Sequence, residues 1–239
     1  PVSHIHCTAA APRSRGTPHR KAPMTYPLAV LFDHDGTLVD TEPQWAQAKR
    51  AVAEHYGQSW SVADDHATLG GTVQDAARTF VDRGAPDSVE EITERLAQHV
   101  LESMGDEIPF LPGVRALLDE LRDAGIPAAI VTNALTVIAR HTAEGAPEVL
   151  TRIVSHDDVT RAKPDPEPYL RGAELLGVEP RNCVAVEDSD PGVRAAVAAG
   201  MTVVVVPGDK PVPDGPHRVF VDSHEDVTLE FLRSLTPPA

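Results

Sequence analysis

The sequence has little cysteine, few aromatic residues and no long apolar segment. Cys7 and Cys183 are the only cysteines among 239 residues, so a disulfide framework is excluded and we interpret both as reduced thiols. No run approaches the roughly 18 consecutive apolar residues that a membrane helix requires. These features predict a soluble protein of a reducing compartment, which we interpret as the cytoplasm.

Positive charge is also scarce. Lys and Arg total 21 against 36 Asp and Glu, which gives a formal net charge of −15. A surface of this sign repels polyanions, so we exclude nucleic acid and anionic membranes as partners. A small phosphorylated metabolite stays possible because a few local cations are enough to bind it. The hydrophobic fraction of 41% is sufficient for a folded core.

Residues 1–23 differ from the rest of the chain. They contain four of the basic residues, none of the acidic ones and no hydrophobic periodicity. Met24 comes directly before the first ordered pattern. We interpret this segment as a disordered leader or a mis-assigned start, with a basic targeting arm as the alternative.

From residue 26 onward, short apolar runs alternate with helical patterns. The runs predict strands over residues 28–32, 128–131, 184–186 and 202–206, with a weaker one over 152–154. Helical patterns fall between them, over residues 113–124, 135–143, 167–176 and 192–199. This alternation predicts an α/β fold with a Rossmann-like, doubly wound parallel sheet. In such sheets the chemistry lies at the carboxyl ends of the strands.

Residues 42–107 interrupt this alternation with helical patterns alone. Thr41 and Gln44 have the spacing of a capping box at the start of the first helix. Further helices are predicted over residues 72–83 and 88–104. We therefore predict a core of residues 24–41 and 108–239, with an α-helical cap of residues 42–107 above the strand ends.

Polar residues follow the first two predicted strands. Asp33 and Asp35 come directly after the first, and two carboxylates so close together need a cation or a proton to offset their repulsion. Thr132 and Asn133 come after the second, just before a helix. A hydroxyl and backbone N–H groups at that point suit an anion, although both residue types are also common helix caps.

The third and fourth groups complete the pattern. Lys163 lies in a proline-containing loop before a helix, and Glu187 and Asp188 follow another strand. Each group has an ordinary structural explanation, as a solvated lysine or as a helix cap. Their occurrence in one order, largely at strand ends, favours a functional site.

The ordered motifs resemble those of the haloacid dehalogenase-like (HAD) hydrolase superfamily. The matching residues are Asp33-His34-Asp35-Gly36-Thr37, Thr132, Lys163-Pro164 and Glu187-Asp188-Ser189. The helical insert resembles the cap of the branch that includes phosphatases and β-phosphoglucomutases. The resemblance covers essentially residue 28 to the C-terminal region.

This resemblance implies a Mg²⁺-dependent phosphomonoester hydrolase. Asp33 would be the nucleophile that forms an aspartyl-phosphate, and Asp35 the general acid and base. Thr132, the Asn133 N–H and Lys163 would hold the phosphoryl group. The implied metal ligands are Asp33, the Asp35 backbone carbonyl and Asp188, with Glu187 acting directly or in the outer shell.

Several alternatives stay open at this point. A sugar-phosphate mutase would share the motifs. However, β-phosphoglucomutases have a histidine in common at the cap-helix position where this chain has Trp45. A phosphonatase would need a cap lysine, here Lys49, and a different first motif. Two further alternatives are a non-catalytic phosphate-binding protein and an acidic interaction module. The interaction module would leave the ordered motifs unexplained. Asp35 argues against a dehalogenase, whose halide leaving group needs no proton.

Two sets of side chains are interpreted separately. His34 should point away from the two aspartates, by strand-like alternation, and is predicted to pack in the core rather than to act in catalysis. The cap offers candidate substrate anchors, which are Trp45, Lys49, His66, Thr72 and Arg78. The oligomeric state cannot be read from the sequence.

Overall fold

The computed structural model describes residues 25–68, 72–105 and 107–238. The predicted leader, residues 1–23, lies outside these ranges. Six parallel strands form one sheet in the order β3-β2-β1-β4-β5-β6. The strands are β1 Ala29–Phe32, β2 Ala128–Val131, β3 Leu150–Val154, β4 Cys183–Glu187, β5 Thr202–Val205 and β6 Arg218–Phe220.

Helices cover both faces of this sheet. They are α5 Val114–Ala124, α6 Thr136–Glu144, α7 Glu167–Leu176, α8 Asp190–Ala198 and α9 Leu229–Ser234. In β1, Val30 and Phe32 pack on the side of α5 and α9, whereas Ala29 and Leu31 pack on the side of α7 and α8. Because both faces are covered, β1 is apolar at every position. The predicted α/β fold with a Rossmann-like parallel sheet is confirmed.

Between β1 and α5, the described residues form four α-helices. They are α1 Glu42–His55, α2 Val62–Thr68, α3 Val73–Asp82 and α4 Val89–Met104. Three of them, α1, α3 and α4, share a separate cluster of buried side chains that includes Val52, Phe80 and Leu96. Ile138 of α6 joins this cluster, so these helices also contact the layer of helices that covers the sheet. In the part of the chain that is described, no helix has both the length and the apolar character to cross a membrane.

Three elements were not predicted from the sequence. Strand β6 is only three residues long at the edge of the sheet, and its Phe220 is exposed. Helices α2 and α9 have seven and six residues, which is too short for a clear helical period. The predicted strand over 152–154 begins two residues earlier, at Leu150.

The sheet order explains how distant motifs meet. Strand β1 lies between β2 and β4, with Phe32 paired to Ile130 on one side and to Val186 on the other. The residues that follow these three strands therefore emerge side by side at one edge of the sheet. This edge is the one predicted to carry the chemistry.

Candidate active site

The loop after β1 is a tight turn that brings its backbone against β4. The Asp33 N–H donates to the Val186 carbonyl at 3.0 Å, and the Gly36 N–H donates to the Val39 carbonyl at 2.8 Å. Gly36 has a φ of 82°, and a Cβ there would lie 2.4 Å from Asp188 Oδ2. Glycine is thus required both for the left-handed backbone and for the close approach of the Asp188 carboxylate.

Lys163 connects the motifs of β1 and β4. Its Nζ donates to Asp33 Oδ1 at 2.5 Å and to Glu187 Oε1 at 2.6 Å, and its side chain is only 3% exposed. Burial alone would lower the pKa of the ammonium group. The charges of Asp33 and Glu187 outweigh that effect, so the pKa of Lys163 is raised and the group stays a cation.

Three carboxylates crowd this edge of the sheet. Oxygens of Asp33, Glu187 and Asp188 lie within 4.8 Å of one another. Burial, with the nearby Glu187 charge, raises the pKa of Asp188 to about 7. Burial likewise raises the pKa of Asp33, and the Glu187 and Asp188 charges add to this while Lys163 opposes it. If all three carboxylates were ionised, their charges would exceed the single positive charge of Lys163, and a divalent cation would stabilise Asp33 and Asp188 in the ionised form.

Glu187 differs from the other two because its oxygens already have donors. Oε1 accepts from Lys163 and from the Tyr169 hydroxyl at 2.7 Å, and Oε2 accepts from the Ser189 hydroxyl at 3.0 Å and the Ser189 N–H at 3.3 Å. The residue has no exposed surface. Of the two roles that the sequence left open, this geometry favours the outer shell over direct metal ligation.

Asp35 is held by Thr41, the residue that comes just before α1. Its Oδ1 accepts the Thr41 N–H at 2.9 Å, and its Oδ2 accepts the Thr41 hydroxyl at 2.7 Å. Burial raises the pKa of Asp35, although both Thr41 hydrogen bonds act in the opposite direction. The predicted capping box between Thr41 and Gln44 is wrong: Thr41 is the N-cap of α1 without a side-chain cap bond, because its hydroxyl binds Asp35 instead.

Thr132 and Asn133 lie at the end of β2, beside the loop that carries Asp33. Thr132 is buried, and its Oγ1 accepts the Ala134 N–H at 2.9 Å, which leaves its hydroxyl proton free to donate. Asn133 Oδ1 accepts the Lys163 N–H at 3.3 Å, so the second motif also positions the lysine loop. Among the described residues, no acceptor takes the Asn133 backbone N–H.

The predicted core packing of His34 is confirmed. The residue is fully buried, and its Nε2 lies 2.8 Å from Thr142 Oγ1 of α6. Burial, with the charge of Lys163, lowers the pKa of His34 to about 4, so the imidazole is neutral near pH 7. His34 thus joins the sheet to a helix and does not face the carboxylates.

The candidate substrate anchors of the cap are largely engaged elsewhere. Lys49 is buried, and its Nζ lies 3.1 Å from Asp65 Oδ1. Trp45 packs against the apolar cluster shared by α1, α3 and α4. Thr72 forms a capping box at the start of α3, while exposed Arg78 pairs with Asp75 on the same helix. The side chain of His66 lies outside the described part of the structure.

Sequence reasoning missed two site residues, Thr41 as the partner of Asp35 and Tyr169 as the partner of Glu187. Thr41 was assigned to a helix cap, which is the more common use of a threonine at that position. Tyr169 is the single tyrosine on a helix of otherwise small or aliphatic buried residues. The hydroxyl of Tyr169 at a core position could have indicated a role in the site, because a buried hydroxyl needs a hydrogen-bond partner.

The fold is a parallel α/β sheet, and its candidate site holds carboxylates near the strand ends together with a buried lysine. Comparison with known families agrees, because residues 27–200 match the model of the haloacid dehalogenase-like hydrolases. The chain belongs to this family.

Relatives and solved structures narrow the class. The chain is 38% identical over 199 residues to hexitol phosphatase A of Escherichia coli, covering 76% of this chain and 84% of that protein. It is 34% identical over 184 residues to the bifunctional riboflavin kinase/FMN phosphatase of Arabidopsis thaliana, covering 74% of this chain but only 48% of that protein. The crystal structure of CbbY from Rhodobacter sphaeroides with phosphate is 28% identical, with a TM-score of 0.77, and covers 87% and 99% of the two chains. The prediction of an enzyme of the phosphomonoester hydrolase class is confirmed.

Proposed function

We propose that the chain is a Mg²⁺-dependent hydrolase of a small phosphorylated metabolite, acting through an aspartyl-phosphate on Asp33. The observation that carries the proposal is the contact of Asp33 with the Lys163 ammonium, next to the Asp188 carboxylate. We also propose that residues 42–107 form a cap over a core of residues 24–41 and 108–239. The separate cluster of buried side chains in the cap helices supports this division.

Asp33 is the proposed nucleophile. One of its oxygens forms a bond to phosphorus while the bond from phosphorus to the substrate alcohol breaks. Oδ1 is held by Lys163 at 2.5 Å, so the other oxygen is the one to attack. A water molecule then attacks phosphorus, inorganic phosphate leaves, and the Asp33 carboxylate is restored.

Asp35 is the proposed acid and base. It gives a proton to the leaving alcohol in the first step and takes one from the attacking water in the second. Its raised pKa supports a protonated form before the first step, and Thr41 holds both of its oxygens in place. Phosphoryl oxygens would be bound by the Thr132 hydroxyl, the Asn133 N–H and Lys163.

The residues present fit a divalent cation with oxygen ligands. Asp33 and Asp188 would supply carboxylates and the Asp35 carbonyl a third oxygen, while Glu187 would act from the outer shell by holding Lys163 against Asp33. Such all-oxygen sets suit Mg²⁺. When bound, the cation would reduce the repulsion between a carboxylate and a phosphate dianion.

The substrate class is proposed to be a phosphorylated sugar, sugar alcohol or similarly small metabolite. The relationship to hexitol phosphatase A supports this class. The mutase alternative is disfavoured because Trp45, at the position that is histidine in such mutases, packs into the cap cluster. No nucleic acid or membrane partner is proposed, since the net charge of −15 opposes both.

The proposal is tested by assaying a panel of phosphorylated metabolites with Mg²⁺ and with EDTA. We expect release of inorganic phosphate with Mg²⁺ and its loss in EDTA. Asp33→Asn should abolish release and covalent phosphate capture, whereas Asp123→Asn, exposed on α5, should retain both. Retained turnover in Asp33→Asn would contradict the nucleophile assignment, and isomerised product without phosphate release would favour a mutase.

A further inference from the structure

Tyr169 is a buried hydroxyl that the proposed mechanism does not use. It lies on α7, has no exposed surface, and donates to Glu187 Oε1 at 2.7 Å. The same oxygen accepts the Lys163 ammonium at 2.6 Å, and that ammonium also binds Asp33. One carboxylate oxygen of Glu187 therefore accepts hydrogen bonds from both Tyr169 and Lys163, and Lys163 also contacts the proposed nucleophile.

We propose that Tyr169 is a positioning residue that fixes Glu187 and, through it, the place of Lys163 against Asp33. The inference rests on the proposed function because its consequence is measured on that reaction. Tyr169 does not contact Asp33 directly in any described hydrogen bond, so its effect passes through the lysine and glutamate.

The hydrogen bonds of Glu187 explain why the tyrosine matters. Oε2 is held by the hydroxyl and the N–H of Ser189 at the start of α8. Oε1 is held by Tyr169 from α7 and by Lys163 from the loop before it. Without the tyrosine hydroxyl, only Lys163 would hold Oε1, and the carboxylate could rotate about its remaining contacts at Ser189.

The aromatic ring makes a second contact with the lysine. Lys163 Nζ lies 5.0 Å from the centre of the Tyr169 ring, within the range of a cation–π interaction. Phenylalanine at this position keeps the ring and its packing and removes only the hydroxyl. Tyr169→Phe is therefore a specific test of the hydrogen bond to Glu187.

The test compares Tyr169→Phe with Tyr26→Phe. The Tyr26 hydroxyl donates to the Cys183 carbonyl at 3.3 Å, at the opposite end of β4 from Glu187, so this control loses a partly buried tyrosine hydrogen bond away from the site. Substitution of residues that orient a site from its outer shell typically lowers activity by about 10- to 100-fold. We expect a fall of that size in kcat and in kcat/KM for Tyr169→Phe, because a displaced Lys163 would serve both Asp33 and the phosphoryl group less well. Tyr26→Phe should keep both constants.

A chemical readout accompanies the kinetics. Acetic anhydride labelling, quantified by peptide mass spectrometry, reports the accessibility of Lys163 relative to exposed Lys210. We expect faster labelling of Lys163 in Tyr169→Phe and no change in Tyr26→Phe. A variant with wild-type kcat and unchanged Lys163 labelling would overturn the inference. A wild-type protein without phosphatase activity would instead contradict the proposed function, while the labelling ratio would still support or overturn the positioning of Lys163.

Discussion

Gly192→Ala tests whether the buried Glu187 carboxylate holds the site together. Gly192 lies in the first turn of α8, and a Cβ there would lie 1.7 Å from Glu187 Oε1 and 2.0 Å from its carboxyl carbon. No side-chain adjustment of an alanine can relieve such an overlap, since it has only this one carbon. The carboxylate must move, and its contacts with Lys163 and Tyr169 must lengthen.

The predicted steric clash and the helix propensity of alanine have opposite effects on stability, so the sign of the measured change shows which one dominates. Alanine in place of glycine inside a helix is normally stabilising by about 0.5–1 kcal/mol. Breaking a buried ion pair costs about 3–5 kcal/mol, because it leaves an uncompensated buried charge. We therefore expect Gly192→Ala to lower the free energy of unfolding by about 2–4 kcal/mol, or the melting temperature by roughly 4–16 °C for a chain of this size.

The assay is thermal unfolding followed by circular dichroism, together with phosphatase kcat at a temperature where the variant is folded. We expect kcat to fall as well, because Lys163 loses its fixed place against Asp33. Arg194→Ala, exposed on the same helix, serves as the control and should change stability by no more than about 0.5 kcal/mol. A melting temperature that is unchanged or raised in Gly192→Ala would refute the reasoning.

Two further predictions concern Asp35 and the buried thiol. Thr41→Val removes the hydroxyl bonded to Asp35, and since hydrogen bonds to charged groups contribute about 1.5–3 kcal/mol, we expect kcat to fall roughly 10- to 150-fold. Thr41→Ser should retain most activity, and a valine variant within twofold of wild type would contradict the assigned role. Burial raises the pKa of Cys183 to about 12, so in a Cys7→Ser background the native protein should not react with Ellman's reagent at pH 8. Rapid reaction before denaturant is added would show that this prediction is wrong.

The alternation of apolar runs was enough to predict the sheet and most of its helices. Residues 128–131 and 167–176 were assigned with the bounds that the structure has for β2 and α7. Such strands are buried on both faces, so their apolar character is continuous and visible in the sequence. The edge strand β6 and the short helices α2 and α9 lack this signal, and they were missed.

The residue types of the site were also readable, because three of the four motifs stand where a strand ends and the fourth stands just before a helix. The sequence alone predicted Asp33, Lys163, Glu187 and Asp188 as one group, and the structure places them in contact or within a few ångströms of one another. The sequence could not show which hydrogen-bond donor each carboxylate oxygen has as its partner. The capping spacing of Thr41 pointed to a helix end, whereas its hydroxyl binds Asp35.

The sequence by itself therefore determined the fold class, the family and the four motifs, because these depend on local patterns and their order along the chain. Only the tertiary structure decided that the Glu187 oxygens accept hydrogen bonds from Lys163, Tyr169 and Ser189. Hydrogen-bond partners are set by distances of a few tenths of an ångström between elements far apart in sequence. The sheet order β2-β1-β4 creates those distances by bringing three strand ends together, and no single segment contains that information.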